Sequence, residues 1–363
     1  MTGNSRYKGV FFVKDNTGQL SERKKLILKA KIEAHIEHGE PVGSNYLMKN
    51  KGINYSSATI RNEMADLEEM GFLEQPHTSA GRIPSDKAYR LYVDTIMNRA
   101  QISRDEIKRI RNHFSSKISE VDEILKQTAV AISSVTNYTA MVLAPELDCD
   151  TLRHIQLVPL VPGKALLVIV TGTGFAKDAV VHVPPSVRSE ELEQISKFLT
   201  KRLYGTRMDM VADRITSELE AEMADRKVFL SNIADGIERK ISPNRKSVEL
   251  AGAGNMLHYP EYADLQKARN FLSAVEGRDA LYNMLKRASS LEFTITIGSE
   301  NEQDELKDCS VVTATYRMGD QNMPMGTLGV IGPTRMNYGK VISVLEYMRR
   351  SLGEILSNYI EED

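Results

Sequence analysis

Ser56-Ser57-Ala58-Thr59-Ile60-Arg61-Asn62-Glu63-Met64-Ala65-Asp66-Leu67-Glu68-Glu69-Met70-Gly71 reads as a helix with two unlike halves. Ser56 or Ser57 opens it, since a small hydroxyl residue satisfies a free N–H of the first turn, and Gly71 ends it. Ile60, Met64 and Leu67 recur at helical spacing and give it one apolar stripe. Ser57, Thr59, Arg61 and Asn62 crowd the N-terminal half, whereas Glu63, Asp66, Glu68 and Glu69 load the far half. A helix that enters a major groove needs small polar side chains and a bidentate donor in its first two turns, and an apolar stripe to hold it to a scaffold. Its N-terminus attracts phosphate through free N–H groups and the helix dipole, and the distal acids repel it. Alone, the same segment equally suits a solvated helix with ordinary capping serines.

The flanking sequence favours the first reading. Upstream, Ser21 caps a helix running to about His38 with Ile27, Ala30 and Ala34 inward, and Gly39 and Pro41 stop it. Ser44 opens a short second helix through Met48, ended by Lys51-Gly52. Downstream, Phe72-Leu73-Glu74 and Arg82-Ile83-Pro84 flank the turn-rich Pro76-His77-Thr78-Ser79-Ala80-Gly81, a two-stranded ribbon with a tip. Ser85 caps a further helix from Asp86 to about Arg99. Three helices followed by a ribbon is the order of a winged helix-turn-helix. In that frame Arg61 and Asn62 are candidates for base edges, and Ser56, Ser57 and Thr59 for bases or nearby phosphate. Ser44 and Arg82 are candidates for positioning contacts. His77, Thr78, Ser79 and Arg82 form a wing suited to a minor groove or a phosphate backbone.

With 363 residues, against about 100–200 per domain, the chain has material for two or three domains. Its 41% hydrophobic and 26% charged residues are those of a globular protein and exclude a mainly disordered one. No apolar run reaches membrane-span length, and the apolar core at Val10–Val13 is too short for a signal peptide, so a cytoplasmic protein is expected. Cys149 and Cys309 are too few for a disulfide framework and read as small buried side chains. The net charge of −2 hides an asymmetry: residues 21–62 carry eight Lys/Arg against four acids, which leaves −6 on the remainder. A basic segment on an acidic body confines polyanion binding to one end.

Residues 1–18 read as an extension ending in Asp15-Asn16-Thr17-Gly18. From Ser103 to about Thr136, Ile107, Ile110, Phe114, Ile118, Val121 and Leu125 predict one long amphipathic helix, its stripe either core or dimer surface. A strand at Tyr138–Ala144 precedes a meander at Leu152–Leu160, Lys164–Thr171 and Lys177–Val183, then helices near 189–203 and 209–241. Beyond Pro243 come a strand at Ser247–Leu250, helices near 261–275 and 278–289, strands near 292–297, 309–317 and 325–332, and a final helix near 338–360. That helix carries the stripe Val341, Leu345, Met348, Leu352, Ile355 and Tyr359.

Sharper chemical readings fail. His35 and His38 sit at chelating spacing, but no HExxH pattern or Cys ligand accompanies them. Thr171-Gly172-Thr173-Gly174 lacks the Lys and helix of a phosphate loop. Glu146, Asp148 and Asp150 have no nucleophile or oxyanion donor nearby. No enzyme activity, metal or cofactor is expected.

Four segments resemble the bacterial heat-inducible transcription repressor HrcA family. They are Ser56–Met64, His77–Ser85, Asp308–Tyr316 and Gly329–Met336, and the likeness extends over nearly the whole chain from about residue 20. The resemblance implies an α+β protein with an N-terminal winged helix-turn-helix at 19–99 and a GAF-like α/β domain split into 100–150 and 245–363. An inserted α+β dimerisation domain would occupy 151–244. It further implies a homodimer that represses chaperone operons by binding double-stranded DNA at an inverted repeat, the CIRCE element, and depends on a GroEL/GroES-type chaperonin. The rival reading is a GAF-like ligand- or chaperone-sensing interaction module with secondary DNA binding.

Overall fold

A computed structural model describes residues 20–75, 81–98, 100–114, 121–145, 150–172, 174, 176–219, 227–241, 248–318 and 323–361. The extension 1–18, the wing tip with His77, Thr78 and Ser79, the loop acids Glu146 and Asp148, and Cys149 lie outside the described residues. The chain falls into two compact units, Met1–Ala144 with Ser247–Glu354, and Pro145–Lys246 with Ile355–Asp363.

The first unit opens with α1 (Glu22–His38), α2 (Ser44–Asn50) and α3 (Ser57–Glu69), then the antiparallel pair β1 (Leu73–Glu74) and β2 (Ile83–Pro84). Serine caps set the helix starts: Ser21 accepts from the Lys24 amide and Ser56 from the Thr59 amide. α1 ends at Gly39, whose φ of 74° is left-handed and whose amide bonds the His35 carbonyl. A Cβ there would also lie 2.8 Å from Arg335 Nη2, so both backbone and neighbour demand glycine. α3 packs its buried Ile60, Met64 and Leu67 against α1 and α2, where Ile27, Leu28, Ile32 and Leu47 are fully buried. Each such side chain stabilises the trihelical core by about 1.5–3 kcal/mol.

Ser85 caps α4 (Asp86–Leu91), which continues as a π-helical turn over Tyr92–Ile96 rather than as the α-helix expected to Arg99. The Met97 amide bonds the Tyr92 carbonyl, and Tyr92 and Val93 are both buried at this widened turn. The single helix expected over 103–136 is replaced by α5 (Arg104–His113) and α6 (Val121–Thr136). α5 ends at Phe114, which leaves helical geometry at φ −107° and ψ 16°, and α5 packs against α6. Of this stripe Ile110 and Leu125 are buried in the core, Ile107, Phe114 and Val121 are half-buried, and Ile118 lies outside the described residues. Two helices that face each other keep one apolar periodicity across their junction, which is why the spacing read as continuous.

After β3 (Thr139–Leu143) comes the second unit, an antiparallel meander of β4 (Leu152–Val161), β5 (Lys164–Thr171) and β6 (Ala176–His182). One face sets Leu157, Leu167 and Ala179 in a row, all buried; the other sets Val158, Leu166 and Val180 side by side. α7 (Ser189–Leu203) and α9 (Lys227–Ile241) contribute Leu192, Ile195, Leu199, Leu230 and Ile233 to the core on the buried face. Between them, α8 (Met208–Arg214) runs into a π-helical turn at Ile215–Leu219, so the expected helix over 209–241 is not one continuous α-helix. Edge strand β4 is met by hydroxyls from α7: Ser196 Oγ accepts from the Leu157 amide at 2.9 Å and Thr200 Oγ1 from the Ile155 amide at 3.0 Å.

The first unit resumes with β7 (Val248–Ala251), 3₁₀ turns at Ala253–His258 and Pro260–Ala263, α10 (Leu265–Glu276), α11 (Arg278–Ala288), β8 (Phe293–Ile297), β9 (Cys309–Met318), β10 (Met323–Pro333) and α12 (Tyr338–Glu361). The strands form an antiparallel sheet in the order β7-β3-β10-β9-β8. In α12, Val341, Leu345, Met348 and Leu352 are fully buried, so the final stripe is core as far as Leu352. A Cβ at Gly353 would lie 2.4 Å from the Arg317 carbonyl oxygen, so glycine lets α12 rest on the backbone of β9. Cys309 is buried beside the Tyr262 hydroxyl, and burial pushes its thiol up to about 11, which leaves it unreactive at neutral pH. No helix among the described residues is long and apolar enough to cross a membrane.

Candidate nucleic-acid interface

At the start of α3, Ser56 Oγ accepts from the Thr59 amide at 3.1 Å and pairs with Thr59 Oγ1 at 2.9 Å. Ala58, Arg61 and Asn62 are exposed. Ser44 departs from its expected place: it is 8% exposed, and its Oγ lies 2.8 Å from Ser57 Oγ. Instead of reaching outward, it joins the first residue of α2 to the first residue of α3 and so fixes the angle at which α3 is presented. Ser57→Ala is expected to cost about 1 kcal/mol of stability and to loosen that joint, measurable by urea unfolding.

Three of the four acids in the far half of α3, Glu63, Asp66 and Glu68, turn out to be engaged, while Glu69 is exposed. Lys24 Nζ donates to Glu63 at 2.6 Å and to Asp66 at 2.7 Å, Arg23 reaches Glu63 at 3.3 Å, and Glu68 pairs with Arg82. Hydrogen bonds to the carboxylates of Asp66 and Glu63 hold the Lys24 ammonium above its ordinary range. The basic surplus at 21–62 is correspondingly reduced. Lys25 pairs with Glu22, Lys29 with Glu33 and Lys51 with Glu37, while Lys31 is buried. Arg61 and Lys49 are exposed and have no ion-pair partner among the described residues. Lys49, at the end of α2, escaped the sequence reading because eight cations look alike until their partners are known.

The wing base is locked to the loop after α1. Val42 and Arg82 form an antiparallel bridge, and Lys31, with no exposed surface, donates to the Val42 carbonyl. A Cβ at Gly81 would lie 2.8 Å from that carbonyl. Arg82 points back to Glu68, a half-buried pair at the root of the wing rather than a free charge at its edge. Burial, and secondarily the charge of Arg82, pushes Lys31 from 10.5 down to about 7. Above that value the folded chain holds Lys31 neutral, while the unfolded chain still binds its proton up to 10.5. The unfolded state therefore binds more protons between these values, and stability contributed by this group rises with pH across the window. Lys31→Met is expected to stabilise the chain by about 2–4 kcal/mol more at roughly pH 7 than at roughly pH 10 in paired urea titrations. A gap independent of pH would contradict the assignment.

Three contacts seat these helices on the rest of the first unit. Asp86 Oδ2, at the start of α4, accepts from the Ser299 amide at 2.8 Å and its hydroxyl at 2.9 Å. Arg90 Nε donates to Glu300 at 2.8 Å, and its Nη2 donates to the Ile295 carbonyl at 2.6 Å and to Glu300. Arg335 grips Glu261 and donates to the Ile36 carbonyl at 3.2 Å, beside the Gly39 end of α1. His35, one of the two histidines with chelating spacing, is bonded to the Tyr89 hydroxyl at 2.6 Å, and burial with Arg335 pushes it down to about 4. It is neutral at physiological pH.

The family model described as HrcA protein C terminal domain matches residues 122–342. The chain is 41% identical over 347 residues to the heat-inducible transcription repressor HrcA of Acetivibrio thermocellus, covering 95% of this chain and 98% of that one. It is 37% identical to the same-named protein of Brevibacillus brevis, covering 94% and 100%. A crystal structure of a hypothetical protein, 24% identical, superposes over 94% of this chain and 99% of its own with a TM-score of 0.64, and shares the fold. With 37–41% identity over nearly the full length of both chains and the matched segment crossing both compact units, the chain belongs to the heat-inducible transcription repressor HrcA family.

Proposed function

We propose that the chain is a dimeric, sequence-specific transcriptional repressor of chaperone operons that binds an inverted repeat of the CIRCE type and depends on a GroEL/GroES-type chaperonin. The carrying observation is the exposed Arg61-Asn62 pair on the first turns of α3, backed by an apolar stripe that is fully engaged in the trihelical core. The name of the relatives, heat-inducible transcription repressor, supports the same reading. Arg61 and Asn62 read base edges, Ser56, Ser57 and Thr59 meet bases or phosphate at the α3 N-terminus, and Ser44 holds that N-terminus in place. Lys49 neutralises phosphate. Arg82 exchanges Glu68 for phosphate when His77, Thr78 and Ser79 of the wing engage the backbone or minor groove.

A two-fold dimer matches a two-fold operator. The region 151–244 acts as the dimerisation domain, and the exposed Val158 and Val180 beside Leu166 on the outer face of its meander support this. The 19–99 and split GAF-like 100–150 and 245–363 segments complete the arrangement. The protein works in the cytoplasm by binding, with no catalytic step and no cofactor.

Footprinting on a chaperone-operon promoter, with and without chaperonin and ATP, tests the proposal. Two protected half-sites related by a dyad, deepened by chaperonin, are expected. A single protected half-site, or no protection even with chaperonin, would refute it.

A further inference from the structure

The chain ahead of Leu20 carries three cations, Arg6, Lys8 and Lys14, against a single acid, Asp15, with the apolar run Val10-Phe11-Phe12-Val13 between Lys8 and Lys14. The point at which it joins the fold is fixed, because Leu20 is buried and Ser21 caps α1. That start of α1 lies alongside α3. Arg23 donates to Glu63 at 3.3 Å, and its guanidinium sits over the Tyr55 ring, 5.0 Å from the centroid. Lys24 bonds Glu63 at 2.6 Å and Asp66 at 2.7 Å. Tyr55 directly precedes the Ser56 cap of α3, and Glu63 directly follows Arg61 and Asn62. Arg23 thus spans the stretch of α3 that carries the candidate base-reading residues, and the chain ahead of Leu20 departs beside that stretch.

The described surface around α3 is short of free cations. Arg23, Lys24, Lys25, Lys29, Lys51 and Arg82 are paired with acids, and Lys87 donates to the Met70 carbonyl at 2.8 Å and lies over the Phe72 ring. Among the described residues of α1 to α4, this leaves Lys49 and Arg61 as exposed cations that no acid, carbonyl or ring engages. With Arg61 on a base edge, one cation remains for phosphate, whereas duplex binding draws its affinity from several neutralised phosphates. Extended chain advances about 3.3–3.6 Å per residue, so Lys14 can reach about 20 Å from Leu20 and Arg6 about 46–50 Å. One turn of duplex is about 34–36 Å, so these side chains span the groove next to the one that α3 enters. Basic arms ahead of the first helix serve other trihelical readers in this way, and apolar side chains such as those at Val10–Val13 are of the kind that press between base steps in a minor groove.

We propose that residues 1–18 are a DNA-contacting arm that leaves α1 beside α3 and lays Arg6, Lys8 and Lys14 on the phosphates and minor groove next to the base pairs read by α3. This rests on the DNA-binding reading above.

The test compares the full-length chain, a variant lacking residues 2–18, and the triple variant Arg6→Gln, Lys8→Gln, Lys14→Gln, each chaperonin-treated and titrated by anisotropy on the inverted repeat and a scrambled duplex. Both variants should lose affinity by at least about tenfold on both duplexes, and the slope of log K against log salt should fall by about two to three for each arm engaged. Hydroxyl-radical footprinting should show one protected minor-groove block per half-site that the parent has and the triple variant lacks. A salt slope unchanged in the triple variant would overturn the proposal. So would a loss confined to the deletion, which would assign the extension to an apolar contact through Val10–Val13. A parent chain that binds neither duplex brings down the DNA-binding reading and the arm together, whereas a parent that binds the repeat with the same slope as both variants brings down the arm alone.

Discussion

Replacing Arg90 by alanine is expected to lower the free energy of unfolding by about 3–5 kcal/mol, the range for breaking a buried ion pair from one side. The Arg90 side chain is 9% exposed, and its guanidinium satisfies both oxygens of Glu300, the Ile295 carbonyl and, at 3.3 Å, Asp94. Removal leaves Glu300 charged in a half-buried setting with no counter-ion and frees the Ile295 carbonyl. Arg90→Lys keeps the charge but loses the planar fork, so an intermediate loss is expected. Arg90→Met combined with Glu300→Leu should recover much of the stability, because no uncompensated charge remains. Urea unfolding of the four chains measures these differences; a loss below about 1 kcal/mol for Arg90→Ala would show that the pair behaves as a surface pair. Since α4 follows the wing directly, Arg90→Ala should also weaken operator binding beyond its effect on the folded fraction.

Arg61→Ala is expected to cost about 1–3 kcal/mol of operator affinity, roughly fivefold to more than a hundredfold, and to relax sequence preference at one base pair per half-site. The global fold should be untouched, because Arg61 is exposed and holds no partner among the described residues. Arg61→Lys separates base reading from phosphate contact. A lysine keeps most of a phosphate interaction but cannot make the two parallel bonds to guanine, so specificity should fall while the salt dependence stays near that of the parent. Equal losses on operator and scrambled DNA would move Arg61 from the base edges to the backbone. By contrast, Lys49→Ala should weaken both duplexes alike and lower the salt slope by about one.

Local signals carried much of the fold. The helices capped by Ser21, Ser56 and Ser85 begin where those serines stand, because a cap is a contact within four residues and is written in adjacent letters. The stripe of α3 was legible for the same reason, whereas the alternating burial of β5 was not, because Ala165–Val170 is apolar throughout. Where a periodic pattern crosses a break, as from Ile110 to Leu125, spacing cannot register the break, since both helices point their apolar faces at the same core. The 3₁₀ turns at 253–263 have no repeat long enough to show. The site was legible in its outline but not in its electrostatics. Arg82 with Glu68, Lys24 with Glu63 and Lys31 with the Val42 carbonyl are pairings set by tertiary approach, and they remove from the surface charges that the sequence presents as free.

The most direct test of the central claim is fluorescence anisotropy of the chaperonin-treated full-length chain with a labelled inverted-repeat duplex and a scrambled duplex of equal length, each titrated at several salt concentrations. Binding to the repeat at least about a thousandfold tighter than to the scrambled duplex is expected, with log K falling linearly against log salt at a slope that reports several phosphate contacts. Equal affinity for the two duplexes under these conditions would contradict sequence-specific reading by α3.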